Sequence, residues 1–138
     1  MSAAVPEVRR RWIVPPLIGS LCSMMSLFHG IAVCESEGVA SEHLASLVNA
    51  FLPVRGVLNV EMAERIRKGD FANPQATVRT WAGAARHFVE IARENGLPDD
   101  LPHMIGEVME RALGAGLGEP EISSLIEVMR AKRSPQEP

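Results

Sequence analysis

From Ser41 to Met129 the apolar positions recur at spacings of three and four residues, and no segment sustains a period-two alternation. The chain therefore reads as helix after helix. Ser41 is a suitable N-cap, with Leu44, Leu47, Val48 and Phe51 sharing one face behind it. Pro53 is expected to break or kink that helix. A continuation over residues 54–70 finds its stop at Gly69. Asn73 followed by Pro74 predicts the next start. That helix turns Val78, Ala82, Ala85, Val89 and Ala92 inward and Arg79, Arg86, Glu90 and Arg93 outward, and it ends at Gly96. A helix around His103 to Ala115 places Met104, Ile105, Val108, Met109, Ala112 and Leu113 inward. After Gly116 and Gly118, a closing helix aligns Ile122, Leu125, Ile126 and Met129.

The N-terminal third follows a different rule. Trp12 to Cys34, "WIVPPLIGSLCSMMSLFHGIAVC", contains no charged residue and follows "RRR" at Arg9 to Arg11. Its length suffices for a membrane span or an export signal. Two prolines, two glycines, three serines and His29 dilute its hydrophobicity, however, and favour a long helix buried on all sides. A small domain buries such a helix only against a second chain. Proline suits a first helical turn, so the helix is expected from about Pro15 to Ser36, preceded by a flexible arm over residues 1–11. Residues 132–138 have the composition of a disordered tail.

The 138 residues are 46% hydrophobic with a net charge of −3, which fits one all-α domain and gives no footprint for nucleic acid. Aromatics are scarce, so seven Met residues share the core filling. Cys22 and Cys34 are twelve positions apart, about 18 Å along one helix. They read as free thiols in a reducing, cytoplasmic setting. His29, His43, His87 and His103 are scattered, and no metal-ligand spacing links them. "GAGLG" near the C-terminus lies between two helices and reads as a turn, not as a dinucleotide loop.

Four stretches carry a resemblance. "GLGEPEISSLIEVMR" at Gly116–Arg130 resembles the C-terminal signature of the imine reductases and reductive aminases, relatives of the β-hydroxyacid dehydrogenases. "LFHGIAVCESEGV" resembles the second half of that family's long interdomain helix, and "GDFANPQATVRTWAGAARHFVEIARENGL" and "LPHMIGEVMERALGAG" resemble its later helices. The likeness assigns residues 12–131 to the helical C-terminal domain of such an enzyme. It implies a long central helix, about five shorter ones and an intertwined, domain-swapped-like homodimer. The family's full-length members add an N-terminal Rossmann domain for NADPH, and their active site lies between that domain of one chain and the helical domain of the other.

The departures redirect the expected function. Met1 stands about a dozen residues before the long helix, so the Rossmann domain is expected to be absent. The place of the family's usual catalytic Asp or Tyr falls at Ile13, and a second polar position falls near Leu21. The resemblance places Ile13, Leu17, Leu21, Met25, Thr80 and Trp81 on the substrate cleft. Trp81, Thr77, His29 and Cys22 are the candidate catalytic groups. The expectation is a stand-alone domain doing NADPH-independent work in secondary metabolism, with no cofactor or metal of its own and no membrane. It would bind a small hydrophobic, amine- or imine-containing metabolite and carry out cyclisation or imine formation. The alternatives are the helical subunit of a split reductase, completed by a Rossmann-domain protein that supplies NADPH, and a non-catalytic dimerisation or regulatory module.

Overall fold

The computed structural model describes residues 7–130, with side chains from Trp12 onward. Residues 1–6 of the expected arm and the expected tail at 132–138 lie outside the described residues. Helix α1 spans Glu7–Ser36 and carries Pro15 and Pro16 inside it. It therefore starts well before the expected Pro15 and takes in residues 7–11 of the expected arm. Each proline frees a carbonyl one turn earlier, and exposure at Trp12 lets water take such a group. The Trp12–Ser36 portion is long and apolar enough to cross a membrane by length and composition.

The chain divides into two compact units, residues 1–46 and 47–138. In the first, α1 reverses at Gly38, which has φ +71, and Val39 N–H reaches back to the Cys34 carbonyl at 2.8 Å. The returning helix lays Leu44 against Gly30, where a Cβ would stand 2.9 Å from Leu44 Cδ2. Most of α1 has no such cover. Trp12, Ile13, Leu17, Leu21, Met25 and Phe28 are all exposed.

Helix α2, Ser41–Lys68, continues through Pro53. The expected break is absent because Asn49 and Leu52 are exposed there, and the carbonyl that Pro53 leaves unpartnered can bond water. Ser41 is the first helical residue, its Oγ 3.5 Å from Glu42 Oε2. The helix ends as expected at Gly69, with φ +66.

The second unit holds the core. Asn73 turns the chain with φ +52 and does not cap the next helix. The cap is Thr77, whose extended backbone aims Oγ1 at Thr80 N–H, 3.2 Å away. Helix α3, Val78–Glu94, packs on α4, Asp100–Gly114. Val78, Ala82, Ala85, Met109 and Ala112 are buried between them. Three alanines at the contact let the helices approach closely, and Ile105, Leu113, Leu117, Ile122, Leu125 and Val128 close the rim. Met104 and Met129, expected inward, are exposed. The closing segment is a 3-10 turn over Ile122–Leu125 and a single turn, α5, at Ile126–Met129. The tighter turn rotates Met129 off the predicted stripe. The described residues are thus all helical, with five α-helices and no strand, and two long helices replace the expected single one.

Candidate functional site

The predicted cleft residues fall in both units. On α1, Ile13, Leu17, Leu21 and Met25 follow one another at four-residue steps and are exposed. Cys22 is exposed, while Cys34 and His29 are half-buried, and both thiols are free. In the second unit Thr77, Thr80 and Trp81 come together at the start of α3. Thr77 Oγ1 and Thr80 Oγ1 are 3.1 Å apart, and Trp81 N–H donates to the Thr77 carbonyl at 3.2 Å. Capping fixes Thr77 in place, so its hydroxyl serves the helix first.

Trp81 is 45% exposed. Its indole lines a recess of about 150 Å³ with Leu58 and Met62 of α2, Gln75 and Ala76 of the connecting loop, and Ile122. Glu61, Arg65 and Glu121 complete the lining. Sequence reasoning found Trp81 but not these partners. They come from three separate segments, and no spacing links residue 58 to residue 121.

The closing loop that brings Glu121 and Ile122 to the recess is tied to the start of α3 and to Phe71 by main-chain bonds. Val78 N–H donates to the Pro120 carbonyl at 3.0 Å, Arg79 N–H to Gly118 at 2.9 Å and Glu121 N–H to Phe71 at 3.0 Å. Glu121 caps the following turn, its Oε2 accepting from Ser123 N–H at 2.8 Å and from Ser123 Oγ. Glu61 is paired with Arg65 at 3.2 Å, and Arg65 also donates to the Ala72 carbonyl at 3.1 Å.

A larger groove of about 780 Å³ lies between α3 and α4, floored by Ala85, Val89 and Gly106. Arg86 and Glu110 bridge it at 2.7 Å, and His103 and Glu107 stand 3.6 Å apart along its edge. Its charged side chains are exposed. The Trp81 recess is smaller and more enclosed, and it mixes apolar groups with Glu61, Arg65, Gln75 and Glu121. Among the described residues no three His, Cys, Asp or Glu side chains are placed to hold a metal ion.

Residues 20–131 match the family described as NADPH-dependent reductive aminase-like, C-terminal domain. The fold is similar to a reductive aminase from Aspergillus terreus, solved in complex with NADPH and ethyl levulinate, with a TM-score of 0.79 and 24% identity over 85% of this chain and 41% of that one. An imine reductase from Bacillus cereus gives 0.85 and 20%, over 94% of this chain and 44% of its own. One from Streptomyces aurantiacus gives 0.83 and 19%, over 91% and 44%. This chain thus spans less than half the length of these structural relatives. No curated protein sequence matches it. The match over residues 20–131 shows that the chain belongs to the reductive aminase-like family through its C-terminal helical domain.

Proposed function

We propose that this domain pairs with a second copy through α1 and α2 as an intertwined homodimer, and that the pair holds a hydrophobic, amine- or imine-bearing small molecule in an apolar cleft. One observation carries the reading: the two long helices present their apolar side chains to solvent. Leu17, Leu21 and Met25 on α1 and Phe51, Val57 and Val60 on α2 are exposed, and no residue of α2 is buried. Contiguous apolar surface of this kind marks an interaction face. Ile13, Leu17, Leu21 and Met25 would supply apolar wall to the cleft, and Thr80 and Trp81 its polar and aromatic edge.

Ile13 and Leu21 neither give nor take a proton. The residues at hand favour a step driven by positioning and water exclusion. Condensation of an amine with a carbonyl fits. Nitrogen attacks the carbonyl carbon, a proton passes from nitrogen to oxygen, and water leaves to give the imine. Thr77, His29 and Cys22 are the candidate proton carriers. No nicotinamide enters this balance.

A second reading is favoured by the relatives' length. The Aspergillus terreus enzyme was solved with NADPH on a chain of which this domain covers 41%. A Rossmann-domain protein supplying NADPH would make this domain the helical half of a reductase.

Incubation with a hydrophobic ketone and a primary amine separates the two, with imine followed by NMR and NADPH by absorbance. Imine formation that ignores NADPH and is lost in Trp81→Ala supports the first reading. NADPH oxidation that requires an added Rossmann-domain protein supports the second. Absence of both activities, with no ligand-induced thermal shift, contradicts each.

A further inference from the structure

We draw no further inference here: the strongest candidate, the groove of about 780 Å³ between α3 and α4, is edged by exposed charged side chains, and nothing in the structure shows what covers it.

Discussion

The guanidinium of Arg79 lies over Gly118, so that a Cβ at position 118 would stand 2.5 Å from Arg79 Nη2, while Arg79 N–H donates to the Gly118 carbonyl at 2.9 Å. This contact ties the closing loop to the start of α3, where Trp81 sits. Gly118→Ala should displace only the flexible end of Arg79 and weaken its exposed pair with Glu119. The loss should stay under about 1 kcal/mol. Gly116→Ala should cost more, roughly 1–2 kcal/mol, because Gly116 has φ +81. Urea unfolding of both variants checks the order. A larger loss at 118 would mean that the guanidinium cannot move.

Core and exposed apolar positions should respond differently. Val78 and Ala112 are fully buried. Val78→Ala should cost about 2 kcal/mol in unfolding free energy. Ala112→Leu should cost about 1–3 kcal/mol by overpacking the α3–α4 contact. Phe51→Ala, at a position 65% exposed, should barely alter the unfolding of a single chain and should weaken self-association instead. Denaturation at several protein concentrations separates the two effects.

Thr77 should prove to be a cap before anything else. Thr77→Ala removes the acceptor for Thr80 N–H and should cost about 1 kcal/mol. Thr77→Ser should restore most of it. If thermal melts place the Ala variant level with the parent, Thr77 does not anchor α3.

The last turn of α2 should carry a signature at low pH. Hydrogen bonds from Arg67 and then Lys68 hold the Glu64 carboxyl down at about 2. A folded-state value below the unfolded one stabilises the fold at pH above the unfolded value, and the contribution fades as pH falls through the folded one. The advantage of the parent over Glu64→Gln should therefore be complete above about pH 4.5 and gone near pH 2. A side-chain NMR titration with a midpoint near 4.5 would contradict the pairing.

Much of this fold is legible in the sequence because the signals are local. The period of the apolar residues gives the helices, and Gly69, Gly96 and Gly116 mark their ends through positive φ. What is not legible depends on surroundings. Pro53 reads as a break, but a freed carbonyl on an exposed helix face can be met by water. Asn73-Pro74 reads as a helix start, but Asn73 turns the chain and Thr77, four residues on, makes the cap. Met129 leaves its stripe because a 3-10 turn has a different angular step. The site divides in the same way. Trp81 stands out as one of two tryptophans, whereas Leu58, Met62 and Glu121 reach its recess only through tertiary packing.

Sedimentation equilibrium of the purified chain tests the central claim most directly. The exposed apolar faces of α1 and α2 predict a dimer, twice the 15.0 kDa chain mass, and Leu21→Lys should shift the equilibrium toward monomer. A parent chain that stays monomeric at every concentration, with its helices intact by circular dichroism, would contradict pairing through α1 and α2.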